Sequence, residues 1–260
     1  MPTSTATPEI AAADRVLHVL SVLARAPRAM TAHELVRASG LPRSTLYRQL
    51  ARLKAFGLAQ EQGGCYVPGP LSLPLALAFE RDAPLTRIAR PVLEQLSLVT
   101  QESAGLIVAS NDHAICLFMA ESLQSLRCSF APGRSIPLHR GASALCLLAH
   151  APTPQREALL TRHFGADTSE RSAAQQRLQG IRQQGHVVTQ SEVDPGVWGC
   201  SVPVFGPGQR AVGAITLMAP EQRARNQQAP WLQHTLTAAT QITQALKALA
   251  STPVEERPLP

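Results

Sequence analysis

Arginines, hydroxyls and a tyrosine crowd one short stretch of this chain, Leu41-Pro-Arg-Ser-Thr-Leu-Tyr-Arg-Gln-Leu-Ala-Arg-Leu53. Side chains of these types hydrogen-bond phosphate oxygens and base edges. Leu46, Leu50 and Leu53 recur at helical spacing and must turn inward. That leaves Arg43, Ser44, Thr45, Tyr47, Arg48 and Arg52 for the outer face or the first turn. With Thr31 at the head of the preceding segment, these are the candidate DNA contacts.

A second helix and a tight turn have to position them. In residues 31 to 56, Leu35 and Val36 give a first helix its apolar face and Ser39-Gly40 stops it. Leu41-Pro42 restarts the chain with Pro42 at a first helical position, where its missing N–H costs nothing. Upstream, Val16, Leu17, Val19, Leu20, Val22 and Leu23 form an apolar helical face that packs behind the pair. Downstream, Gly57 to Val67 predicts two strands about a Gly63-Gly64 turn. An amphipathic helix pair alone could carry basic residues that are merely solvated. Three helices followed by a hairpin make a winged helix-turn-helix over residues 12–68, and this context favours binding to duplex DNA.

Charge agrees with that placement. Residues 1–70 hold Arg15, Arg25, Arg28, Arg37, Arg43, Arg48, Arg52 and Lys54 against Glu9, Asp14, Glu34 and Glu61, whereas the other 190 residues hold sixteen basic against fourteen acidic side chains. The excess would steer an acidic polymer to this end and make binding salt-dependent. Aromatic residues are only 4% and are not interleaved with the basic ones, which argues against a stacking platform for single strands. No long uncharged apolar run and no signal-peptide pattern is present, so no membrane partner is expected. Cys65, Cys116, Cys128, Cys146 and Cys200 are odd in number and contain no Cys-x-x-Cys pair. Neither a disulfide framework nor a zinc finger is indicated, and a reducing cytoplasm fits best.

Past Pro68-Gly-Pro70, residues 69–83 read as a linker helix with Pro74 early in it, and residues 84–250 as a second domain. Asp82-Ala83-Pro84 opens a helix with Leu85, Ile88, Ala89, Val92, Leu93 and Leu96 inward. Two apolar runs, 104–110 and 114–120, predict a hairpin, and 125–131 a further strand, with Arg134 to Pro137 leading to a loop. Helices follow over 141–150, from near Pro154, and over Ser169–Gln184 with Ser169 as cap and Gly185 as stop. Strands near 186–191, 199–205 and 211–219 and a helix over 226–250 complete an α+β domain. The N-terminal segment is expected to fray, and the Pro-rich residues 251–260 to be disordered.

Taken together, several segments resemble the isocitrate lyase regulator (IclR) family of bacterial transcription factors over about residues 12–248. Leu41-Pro-Arg-Ser-Thr-Leu-Tyr-Arg48 with Leu53-Lys-Ala-Phe-Gly57 looks like its recognition helix and entry to the wing. Ala89-Arg-Pro-Val-Leu-Glu-Gln-Leu96 looks like the helix that opens its effector domain. Gly133, Pro137-Leu-His139 and then Gly185, Glu192, Gly196, Pro203-Val204-Phe205 and Gly213 resemble its pocket loop and C-terminal signature. The resemblance implies a GAF-like α/β effector-binding domain enclosing a small-molecule site, and a dimer or dimer of dimers. It also assigns Cys128, Ala142, Ser143, Thr189, Gly199, Thr216 and Met218 to the pocket. The chain departs from the family at Ala144-Leu145, where Gly-Lys is common, and at Thr189, Gly199 and Gly206, where other small or more polar residues are usual.

A carboxylate can be bound without a counter-charge by the amides of a helix N-terminus, and Ala142-Ser143 start a predicted helix. Thr189 and Thr216 could add hydroxyls, and Cys128 and Met218 apolar wall. With Leu145 also near, the expected effector is a carboxylate with an apolar or aromatic body. Each of these residues could equally be core. His139, Ser143 and Asp194 are the ingredients of a hydrolytic triad, but Gly141-Ala-Ser-Ala-Leu145 lacks the second glycine of a nucleophile elbow. His139 reads better as a loop histidine bonded to backbone. Cys128, His139 and Cys200 could sense thiols or metals but lack ligand-like spacing. The sequence therefore predicts a non-catalytic, effector-responsive regulator of operator DNA with no resident cofactor or metal.

Overall fold

In a computed structural model, residues 14–251 are described, and the chain divides at Asp82–Ala83 into two compact units. The expected frayed start and nearly all of the expected disordered end lie outside the described residues. Ser251 itself is the last residue of a helix.

The first unit comprises α1 (Asp14–Arg25), β1 (Met30–Thr31), α2 (Ala32–Ser39), α3 (Arg43–Ala55), β2 (Ala59–Gln62), β3 (Cys65–Pro68) and α4 (Ser72–Asp82). Val19 and Leu23 of α1, Leu35 of α2 and Leu46, Leu50 and Leu53 of α3 close its core with Ala59 and Tyr66 of the wing. Leu17, expected on the inward face, points to solvent because the helical repeat carries it past the stripe of Val19 and Leu23. Gly40 ends α2 at φ 66°, a conformation that costs glycine little. Pro42 is the N-cap rather than the first helical residue: its ψ of 145° is extended, while its carbonyl already accepts from the Leu46 amide. At the wing tip Gly63 and Gly64 both have positive φ, as a tight two-residue hairpin turn requires. The wing gains a strand the sequence did not announce, because β1 pairs with β3 at Met30↔Tyr66 and Thr31↔Cys65. Two residues are too few for an alternating pattern to show. Among the described residues α4 buries none of its side chains.

The second unit is one antiparallel sheet covered on both faces. Its strands are β4 (Ser103–Ser110), β5 (His113–Ala120), β6 (Ser135–Pro137), β7 (Val187–Gln190), β8 (Val197–Phe205) and β9 (Ala211–Pro220), in the order β6-β5-β4-β9-β8-β7. Alternation along each strand sorts side chains between two cores. Leu106, Cys200, Ile215 and Leu217 pack with α5 (Pro84–Thr100) and α10 (Gln228–Ser251), where Trp198 and Trp231 meet at 5.7 Å. Ile107, Ala114, Val187 and Ala214 pack with α6 (Ala142–His150), α7 (Thr153–Phe164) and α8 (Ser169–Gln184). A short α9 (Glu221–Ala224) precedes α10.

Three expectations need correction. Residues 125–131 form no strand; side-chain bonds fix this segment, with Arg223 donating to the Leu126 carbonyl and Ser129 to Glu121. The edge strand is β6, where a loop was expected, and Pro137 at its end suits an edge because it lacks a donor. Thr168, not Ser169, caps α8 by accepting from the Arg171 amide at 3.1 Å. The architecture is α+β, an N-terminal winged helix-turn-helix followed by a helix and a GAF-like α/β domain.

Candidate functional sites

On α3 the inward leucines leave one solvent face. Arg43, Ser44, Tyr47, Arg48 and Arg52 are exposed and Thr45 is half-buried. The Arg43 guanidinium lies 5.6 Å from the centre of the Tyr47 ring, which restricts both side chains. No side-chain hydrogen bond caps the first turn of α3, so its amides and the positive end of its dipole stay available to an anion. Lys54 at the other end bonds Glu61 of β2 at 2.9 Å and ties the helix to the wing. Thr31 caps α2: its hydroxyl accepts from the Glu34 amide, and its own amide donates to the Glu34 carboxylate at 2.8 Å. Bonds from Arg28 and then from Thr31 bring the Glu34 carboxyl down to a pKa of about 2. This capping box orients α2 behind α3.

In the second unit, six of the seven candidate pocket residues surround one cavity of about 40 Å³. The sheet register explains the convergence. Thr189 of β7, Gly199 of β8 and Met218 of β9 stand in one cross-strand row, and Thr216 lies two residues along β9 on the same face. Over this row lies the start of α6, with Ala142 and Ser143. A Cβ on Gly199 would stand 3.4 Å from the Ala142 Cβ, about van der Waals contact, so the helix end lies close over the sheet here. The N-cap of α6, Gly141, has no side chain to bond the first turn, its own amide donates to the Glu192 carboxylate at 3.2 Å, and the residues from Ala142 to Ala149 are buried. The Thr216 hydroxyl is paired with that of Ser201 at 2.6 Å, and Ser143 and Thr189 are the other hydroxyl residues lining the cavity. Phe130, Ile136 and the β7–β8 loop, with Glu192, Val193 and Asp194, complete the wall. Of these, sequence reasoning had Glu192 in view as part of a signature and Asp194 as a triad ingredient, and missed Phe130 and Val193; their side chains meet through tertiary packing that no local pattern encodes.

Three residues stand elsewhere than expected. Cys128 does not line the cavity; it packs behind it with Cys116, Met119, Met218 and Phe130. Leu145 is on the far side of α6, where it lines a second cavity with His139 and Leu148. His139 makes no backbone bond; it stacks on His163 at 4.2 Å, and its buried Nδ1 has no partner among the described residues. Burial, then the neighbouring His163, pushes its pKa down.

Thus Ser143 and Asp194 share a cavity from which His139 is missing, and Asp194 faces Arg134 at 3.6 Å. The triad ingredients are not assembled. The thiols are also apart: Cys200 is fully buried against the α10 side, where burial raises it to about 12, and burial likewise raises Cys128. Such thiols are poor thiolates. Among the described residues no group of three His, Cys, Asp or Glu side chains could hold a metal.

A winged helix-turn-helix with a basic outer face, followed by a GAF-like domain with a small cavity at a buried helix start, defines a class of one-component DNA-binding regulators. The profile of the IclR helix-turn-helix domain matches residues 12–63, and that of the bacterial transcriptional regulator IclR C-terminal matches residues 80–244. The chain belongs to the IclR family of transcriptional regulators. It is 30% identical to the HTH-type transcriptional regulator BhcR of Paracoccus denitrificans, over 82% of this chain and 79% of that protein. It is 26% identical to KipR of Bacillus subtilis, over 84% and 90%. Among solved structures, a putative IclR transcriptional regulator from a Silicibacter species superposes with a TM-score of 0.79 at 24% identity, over 90% of this chain and 96% of that one. An IclR homologue from Microbacterium hydrocarbonoxydans, solved with 4-hydroxybenzoate, superposes with a TM-score of 0.68 at 24% identity, over 91% and 99%. No helix among the described residues is long and apolar enough to cross a membrane.

Proposed function

We propose that this regulator reads a palindromic operator in duplex DNA through α3, and that a small carboxylate at the start of α6 changes operator affinity. The observation that carries the second part is the convergence of Ala142, Ser143, Thr189, Gly199, Thr216 and Met218 on a buried helix end. Amides there bind an anion without a buried counter-charge. The homologue solved with 4-hydroxybenzoate supports an acid of this kind. A cavity of about 40 Å³ holds little more than a water, so a larger acid has to displace Phe130 and the Cys128 segment to settle against Met218. That displacement supplies the two states a ligand must distinguish to shift an equilibrium.

The regulator acts in the cytoplasm without catalysis or a cofactor, as a dimer or a dimer of dimers. Leu73 and Leu77 on one side of α4 and Leu75 and Phe79 on the other are each more than half exposed, apolar surface that a second copy covers. Contacts to DNA come from Arg43, Ser44, Thr45, Tyr47, Arg48 and Arg52, with Thr31 at the head of α2. Selection of duplexes from a random pool is the test. Palindromes with half-sites about 10 base pairs apart, or a multiple, are the expected result. Sedimentation showing a monomer with and without the selected DNA would sink the symmetric reading. In the effector half, Ser143→Pro removes one helix-end amide at a position where proline is tolerated, and should weaken the response to carboxylates about tenfold. An unchanged response removes the cavity at α6 from consideration.

A further inference from the structure

A cavity with room for an aromatic body lies on the other side of α6. It measures about 330 Å³, within the range of small-molecule sites, and its floor is formed by Leu145, Leu148, Leu160, Phe164 and Leu178 of α6, α7 and α8. Arg177 and Glu170 of α8 supply one charge of each sign on its wall. They are two helical turns apart on the same face of α8, about 10 Å along its axis. His139, whose Nδ1 has no hydrogen-bond partner, completes the polar part of the wall. We propose that this cavity is a second effector site for an aromatic monocarboxylate, its ring on the leucine floor and its carboxylate on Arg177, with Glu170 repelling the reversed orientation.

Arg177 also links the two cavities. Its guanidinium pairs with the Glu192 carboxylate, and Glu192 lines the smaller cavity. The same carboxylate accepts from the Gly141 amide at 3.2 Å, and the Glu192 carbonyl accepts from Arg140 at 3.0 Å. A ligand carboxylate on Arg177 competes with Glu192 and loosens the β7–β8 loop over the smaller cavity. By linkage, an acid in either cavity alters affinity for the other. This proposal does not depend on what occupies the smaller cavity.

Equilibrium binding of benzoate to the full chain, with benzamide as its neutral counterpart, tests it. Wild type should bind benzoate in preference to benzamide. Ala174→Phe fills the larger cavity and should weaken benzoate there about tenfold or more, while Thr189→Ile, which narrows the smaller one, should leave the larger-cavity site in place whatever it does to acids at the start of α6. Arg177→Gln should erase the preference for benzoate over benzamide, a loss of about tenfold, with folding checked by thermal unfolding. The proposal is overturned if wild type shows no preference for benzoate, if Ala174→Phe binds as wild type does, or if Thr189→Ile alone abolishes binding. The last result would place benzoate at the start of α6 and leave the first reading standing; selection of operator DNA by α3 is scored separately.

Discussion

α3 and α6 begin alike and are surrounded differently. In neither does the N-cap residue's own side chain bond the first turn, so each presents the positive end of its dipole, although at α6 the Glu192 carboxylate already accepts from the Gly141 N-cap amide. Around the start of α3 stand exposed arginines, hydroxyls and Tyr47, whereas α6 is buried from Ala142 to Ala149 among small and apolar residues. An exposed positive end beside flexible cations suits a polyanion that arrives with its counterions and is read along its length. A buried end suits one small anion that must shed its water, and there a flexible cation would be costly to bury. The family's more usual lysine after the Ala-Ser is replaced here by Leu145, on the far side of α6. On the proposed function, one local device serves two classes of anion, and the surrounding residues decide which.

The largest expected effect comes from exchanging these surroundings. A charge at Ala144, which has no exposed surface, leaves an unpaired buried carboxylate in Ala144→Glu and should cost about 4 kcal/mol or more. Arg48→Glu changes the charge of an exposed position by two and should alter stability by only about 0.5 kcal/mol. Urea unfolding of the two variants measures both, and equal costs would break the contrast.

Next in size is operator binding. Arg43→Ala and Arg48→Ala should each weaken it by about 1–3 kcal/mol if they read bases, and by a similar amount on every sequence if they contact phosphate. Mobility shift at fixed salt, on selected and scrambled duplexes, separates the two. Normal affinity in the double variant would remove α3 as the reading helix.

The same contrast explains what could be read from the chain. On α3 the chemistry and its support are local: Leu46, Leu50 and Leu53 set the inward face, and Arg43, Tyr47 and Arg48 follow by helical spacing. The wing was legible because Gly63-Gly64 announces its turn, while β1 was not, since Met30 and Thr31 become a strand only through β3. The cavity at α6 draws on residues from positions 130 to 218, and spacing alone says nothing about Glu192 facing Gly141 across 51 positions. Resemblance suggested Ala142, Ser143, Thr189, Gly199, Thr216 and Met218. It misplaced Leu145 because a helix start fixes the approach of Ala142 while the next turn of α6 faces the opposite cavity, and Cys128 because its segment packs behind the cavity with Cys116 and Met119. His139 was misread for a related reason: its partner, His163, comes from α7.

The smallest effect is in pH, and it sharpens the comparison by separating the units in acid. In the first unit Glu34, paired with Arg28 and Thr31, has a folded pKa of about 2 against a usual 4.5. A depressed carboxylate contributes stability that is full above the unfolded value and is lost as pH falls from 4.5 toward 2. The pair is exposed, so the loss should be slight and weaker still in salt. In the second unit His139, His150 and His163 are pushed below the usual 6.5, chiefly by burial. The folded state resists their protonation, so their effect runs from the other end: nothing is lost above 6.5, and stability declines as pH falls below it. Hydrogen exchange resolved by segment, from about pH 7 down to 3, should therefore show α6 to α8 loosening before α2 and α3. His139→Gln with His163→Gln should flatten the upper part of that profile, and Glu34→Gln the lower part. Simultaneous loosening of both units, unaltered by these substitutions, would show that the two units share one acid transition and that the local partners of Glu34 and His139 do not set it.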